Sequence, residues 1–360
     1  RADAPTPAPE AAPPAPAPEP AFEPRVALAG APTCEVEEAT EVFRADGDEA
    51  RGVRLALDAA GGMLAVVHGR RLSLVPLAAD GAPGRVVDAG PAPSSLVRVV
   101  AVDAPRAFGL LVRSREGHEL RAIAPDGAAL GRPVVHDYVP EGAELDLRRV
   151  ADELLVVQVS FTAGVELWRH GVEAGGLAEK QHRYATVRSW DTIVGHRVVT
   201  RGEEAVLIGA GRSECCGADP FALFTTGERG HVRAGEGNED WVMRSAALDG
   251  EGHLVVLEQH GERWRRRSFL GEVLGPVDPA ALPAPFDDEL RARLEARDGR
   301  YWLSRRVATG EALAPDVDLG PAERPIRAAA RGDLAWTGDG FAFARADRAA
   351  VWLSRVSCRE

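Results

Sequence analysis

The chain has 360 residues with 43 basic against 55 acidic side chains, a formal charge of −12, which leaves no electrostatic basis for binding a nucleic-acid backbone. Hydrophobic residues make up 45% of it, enough for a sizeable core, yet no apolar run is long enough to span a bilayer.

The first 24 residues, RADAPTPAPEAAPPAPAPEPAFEP, hold 9 prolines and 8 alanines. Such a stretch favours extended polyproline conformations and builds no core. Residues 1–33 are therefore expected to be a disordered Pro/Ala-rich linker holding a folded domain, 34–360, away from a tether point. A start without methionine fits a processed chain whose secretory signal has been removed. The expectation is an exported bacterial protein, periplasmic, extracellular or tethered to the cell surface.

From residue 65 onward one pattern returns seven times. The segments are AVVHGRRLSLVPL, LLVRSREGHELRAI, VQVSFTAGVELWRH, VLIGAGRSECCGADPFALFTTG, VVLEQHGERWRRRSF, ARLEARDGRYWLSRR and FAFARADRAAVWLSR. Each alternates apolar and polar residues on both sides of a turn, the period-2 signature of a β-hairpin. With Leu72, Leu120, Leu167, Leu223, Trp264, Trp302 and Trp352 as anchors, the spacings are 48, 47, 56, 41, 38 and 50 residues. These lie near the length of a four-stranded propeller blade, and the long third spacing, explained by an insertion in the fourth hairpin, contains Cys215 and Cys216.

Further strands flank each hairpin. Upstream lie GVRLALDAAGG, VRVVAVDAPR, LRRVADE, GHRVVTRGEE, MRSAALDGEG and DLAWTGDG, with the sixth unit weak; downstream, a glycine turn at Gly81, Gly127, Gly176, Gly230, Gly271 or Gly310 leads to a fourth, outermost strand. The reading is an all-β β-propeller, seven four-stranded blades. The last unit ends without an outer strand, and the unpartnered segment CEVEEATEVFR, residues 34 to 44, is suited to supply it and so close the ring.

Four cysteines, Cys34, Cys215, Cys216 and Cys358, allow three pairings. If residues 34 to 44 run antiparallel to the strand ending at Cys358, Cys34 and Cys358 come within bonding distance, a structural disulfide closing a very long loop, for which the chain-entropy model gives roughly 4 to 5 kcal/mol. Cys215 and Cys216 are adjacent, so a vicinal disulfide between them is strained; it serves either to rigidify a loop or as a redox element. Without a CxxC or a nearby histidine the pair is not a zinc signature.

The nine histidines are scattered, with no HExxH, GxSxG or phosphate-loop motif. His68, His118 and His260 fall in or beside hairpin turns and read as solvated turn residues. Asp58, Asp103, Asp152, Asp249 and Asp339 recur after the innermost strands. Aspartate is a turn former, yet repeated carboxylates near a propeller axis also suit acid/base work or a hard cation. Trp168, Trp264, Trp302 and Trp352 are placed on third strands and expected to pack between blades. Trp190 and Trp241 lie in connections and, with the Cys215–Cys216 loop, form the candidate binding rim.

In architecture, residues 34 to 358 resemble seven-bladed β-propellers of the WD-repeat-like and YVTN-like kind. The Trp-Asp pair of WD repeats occurs only once, at Trp190, Asp191, so the resemblance implies a fold and transfers no site residue. The functional expectation is a noncatalytic protein- or glycan-binding or scaffold module on a surface tether, with no cofactor and no metal. The alternative is a secreted hydrolase or lyase using carboxylates near the axis.

Overall fold

The structure, a computed structural model, describes residues 33–114, 117–136, 143–160, 164–186, 192–201, 204–213, 217–224, 232–233, 242–248, 254–261, 263–268, 273–276, 292–305, 316–322, 331–337 and 340–359. Among them the regular elements are β-strands, gathered in seven antiparallel sheets. The first sheet is Ala50–Asp58, Gly61–His68, Arg71–Ala78 and Val87–Pro91, in spatial order. The second is Ser95–Val102, Ala107–Arg113, His118–Ile123 and Ala129–His136; the third is Glu144–Val150, Glu153–Ser160, Gly164–Glu173 and Gly176–Thr186. The fourth (residues 192–233) and fifth (242–276) repeat the same up-and-down order. The sixth has three described strands, Ala292–Arg297, Arg300–Arg305 and Val317–Pro321.

In the first, second, third, fourth and seventh sheets the first strand is innermost. That of the first sheet runs beside those of the second and seventh, the second's beside the third's, and the third's beside the fourth's. A second strand so placed is covered on both faces by neighbouring sheets, and the sequence shows it: in GGMLAVVH, Gly61 to Val67 are all buried. Leu64 and Val66 join the cluster shared with the seventh sheet, while Met63, Ala65 and Val67 join that shared with the second. Outermost strands are wetted and alternate weakly, as in Ala129–His136, where most side chains are exposed.

The seventh sheet, Gly332–Trp336, Gly340–Asp347 and Ala350–Arg359, is completed by the N-terminal segment. One strand does not do this alone. Thr33–Val36 pairs with the outer half of Ala350–Arg359, and Thr40–Arg44 with the inner half. From Val36 opposite Val356 to Thr40 opposite Leu353, the N-terminal side advances four residues against three, so the extra residue bulges out. Exposed Glu37 and Glu38 occupy this break, where the Glu37 amide donates to the Arg355 carbonyl at 2.8 Å. Cys34 faces Cys358 directly in the register, and the two form a disulfide with Cα atoms 4.1 Å apart.

Two expectations need correction. The anchor residues are not equivalent positions, since Leu72 is second in its strand and Leu223 seventh; the long third spacing reflects a longer fourth hairpin, whose strands pair out to Ser213 opposite Gly217. His118 is not a solvated turn residue. It opens a third strand with its ring fully buried against the third sheet, beside Trp168.

Candidate functional site

Each sheet has two ends. Connections between first and second strands, and between third and fourth, lie at one end; hairpins between second and third strands, and the passages to the next sheet, lie at the other. The end with the second-to-third hairpins opens near the axis into a cavity of about 480 Å³, framed by Arg54, Arg98, Arg113, Ser95, Glu144 and Asp146.

Three arginines from two sheets reach this mouth because innermost strands leave one edge without a partner strand, and long polar side chains satisfy it. Arg54 Nε donates to the Val97 carbonyl at 2.7 Å and its Nη1 to the Val53 carbonyl at 3.0 Å, tying the first sheet to the second. Arg113 donates to the Ala143 carbonyl, tying the second to the third. Asp146 accepts Arg98 Nε at 3.2 Å on Oδ1 and Arg148 Nε at 2.8 Å on Oδ2. On the other side of the first sheet, Asp333 Oδ2 accepts the Leu55 amide at 2.7 Å. The frame is charged, with three guanidiniums against the carboxylates of Glu144 and Asp146; a guanidinium is a planar fork that matches carboxylate or other anionic groups two bonds at a time.

At the opposite end stand the turn carboxylates. Asp58 Oδ1 accepts the Ala60 amide at 2.7 Å, the turn role, and the same carboxylate takes both Nε and Nη2 of Arg106 at 2.8 and 3.1 Å. Asp103 accepts Arg149 Nη2 at 2.6 Å, and Asp152 lies 3.9 Å from the same guanidinium. Each pair joins a turn of one sheet to the next, so these groups are engaged as fasteners between sheets. Asp249 and Asp339 lie outside the described residues. A second cavity, about 360 Å³, sits at this end between the first and seventh sheets, lined by Leu57, Asp58, Thr337, Phe341 and Arg355 together with Glu37 of the closing segment.

Cys215, Cys216, Trp190 and Trp241 lie outside the described residues; the flanking strands bring Ser213 opposite Gly217. Trp168 and Trp264 are buried on third strands as expected. Arg54, Arg98 and Arg113 were missed by sequence reasoning. The available signal was an arginine within or at the end of an otherwise apolar strand, as in VRLAL and LVRVV, a position that needs a partner. Among the described residues no group of His, Cys, Asp or Glu has the geometry to hold a metal ion, and no helix is long and apolar enough to cross a membrane.

Successive antiparallel sheets with adjoining innermost strands, the last completed by the N-terminus, define a β-propeller. No family model matches the chain, and no curated protein does. Solved structures similar to it include the WD40 domain of SCAP from fission yeast, at 10% identity over 89% of this chain and 98% of that one with a TM-score of 0.48. The β-propeller domain of the Trilobed protease from Pyrococcus furiosus is 9% identical over 85% and 95%, with a TM-score of 0.46. Virginiamycin B lyase from Staphylococcus aureus is 10% identical over 90% and 99%, with a TM-score of 0.45.

Proposed function

We propose that this propeller is a noncatalytic binding module that engages a protein or glycan partner with the end carrying the second-to-third hairpins. The observation that carries the reading is the arginine-framed mouth at that end, coupled with the commitment of Asp58 and Asp103 to ion pairs between sheets. Guanidinium forks at that mouth suit anionic or hydroxyl-rich groups. The Cys34–Cys358 disulfide fits an exported module, because such bonds persist in oxidising compartments; in this reading residues 1–33 serve as spacer to a tether.

The test is a peptide and glycan array probed with three proteins: the intact chain, Arg98→Ser, and a deletion of residues 213 to 219. The expected result is a restricted set of binders, lost by about tenfold or more in affinity with either change while the thermal transition is retained. Binders indifferent to both changes would move the site away from this end. Turnover of any arrayed glycan or peptide, abolished by Asp103→Asn, would replace the reading with the hydrolase or lyase alternative.

A further inference from the structure

The second and third sheets meet through a row of histidines. His118 stands opposite Arg113 on one side and His136 on the other, so these three side chains share a face of the second sheet. His170 comes from the third strand of the third sheet, two residues beyond Trp168 and on the same face as it. The His118 and His136 rings stack with centroids 4.5 Å apart, and His136 meets Trp168 at 4.3 Å and His170 at 5.5 Å.

His118 and His170 are 0% exposed, and neither nitrogen of either ring has a hydrogen-bond partner among the described residues. A buried, unmatched polar group costs about 1–3 kcal/mol even when neutral. Charging it without a counter-ion costs far more. Burial, with the nearby His136, Arg113 and His170 adding to it, pushes His118 down to about 3, and burial pushes His170 down to about 4.

We propose that this histidine row is an acid-triggered release built into the seam between the second and third sheets: proton uptake by His118 and His170 parts the two sheets there. The groups facing the row do not offset that charge. Arg113 is itself a cation, bonded to the Ala143 carbonyl. Glu179, opposite His170 in the register, is exposed, and Glu153 and Glu173 are bonded to Arg169 and Lys180.

The sign follows from the direction of the shifts. Both imidazoles titrate lower in the closed seam than the ordinary 6.5, so the opened state binds protons first. The seam is at full strength at neutral pH and weakens as pH falls from about 6.5 towards 4 and 3. At pH 4.5, two units below the ordinary value, an imidazole that ionises only on opening raises the open population about 100-fold. The seam between the seventh sheet and the N-terminal segment is held by Cys34–Cys358, a bond that acid leaves intact.

The test is amide hydrogen exchange on the full chain at pH 7 and 4.5, corrected for intrinsic rates, read over His118–Ile123 and Gly164–Glu173. The expected result is acceleration of at least about tenfold in these two strands, absent from Ala350–Arg359, and reduced to under about threefold in the double variant His118→Leu, His170→Leu. Equal acceleration throughout, or an unchanged response in the double variant, overturns the proposal. Should that variant not fold, per-residue histidine titration of the intact chain by C2-proton exchange decides. Titration of His118 and His170 below 5 supports the release, and titration near 6.5 overturns it.

Discussion

An arginine that crosses from one sheet to the next does work that a lysine cannot copy. Arg106 places two nitrogens on the two oxygens of Asp58, while Asp58 Oδ1 also holds the Ala60 amide. An ammonium group is a point donor and leaves one oxygen of a largely buried carboxylate without its charge-assisted bond. Arg106→Lys is expected to lower unfolding free energy by about 1 kcal/mol in urea titrations, whereas an unchanged midpoint would mean that the pair is solvated in solution. Ala151 presents the opposite case, a residue in an unsuitable place. It has φ of 52° in the two-residue connection between Val150 and Glu153. A Cβ there is disfavoured by roughly 1 kcal/mol or more, so Ala151→Gly should raise the denaturation midpoint, as long as the Arg149 Nε bond to the residue 151 carbonyl, 2.6 Å, is kept.

Outer strands repeat a device one element long. Val87–Pro91 and Val317–Pro321 both read Val-Asp-x-Gly-Pro. In each, the aspartate Oδ1 accepts the glycine amide at 2.9 Å, and an arginine opening the strand paired with it, Arg71 or Arg300, binds the same carboxylate. Gly90 and Gly320 have φ of 100° and 104° with nothing within 4 Å of an added Cβ, so alanine at either costs conformation alone. Gly90→Ala and Gly320→Ala are each expected to destabilise by about 1 kcal/mol in chemical denaturation; a much larger loss at either would reveal a hidden contact. The hairpins and the N-terminal closure were legible in the sequence, because period-2 patterning and turn chemistry are local; the repeated Val-Asp-x-Gly-Pro was not read there. What escaped depended on neighbours distant in the chain. His118 looks like a turn residue until the third sheet covers it, and Arg54 looks like a solvated charge until the Val97 carbonyl is beside it. The split of the closing segment at Glu37 was hidden because the extra residue shows only against the partner strand's register.

A ring of sheets fails first where its ends meet, and here the two halves of that join are held by different forces. Thr40–Arg44 is held from within: Val42 and Phe43 are buried in the cluster shared by the first and seventh sheets. Thr33–Val36 has exposed Glu35 and Val36 and four register pairs with Arg359 to Val356, so the Cys34–Cys358 bond supplies what burial does not. That bond spans 324 residues of sequence, and losing a link of this kind costs about 2–5 kcal/mol of stability. The replacement Cys34→Ser with Cys358→Ser should therefore lower the thermal midpoint and also change where the molecule opens. Under native conditions, hydrogen exchange is expected to rise at Thr33–Val36 and its partners Val356 to Arg359, while Thr40–Arg44 stays protected. If both halves lost protection together, the segment would be one cooperative strand, and the bulge at Glu37 would not divide it. If neither did, backbone pairing alone would hold the outer half, and the disulfide would act on the unfolded chain only.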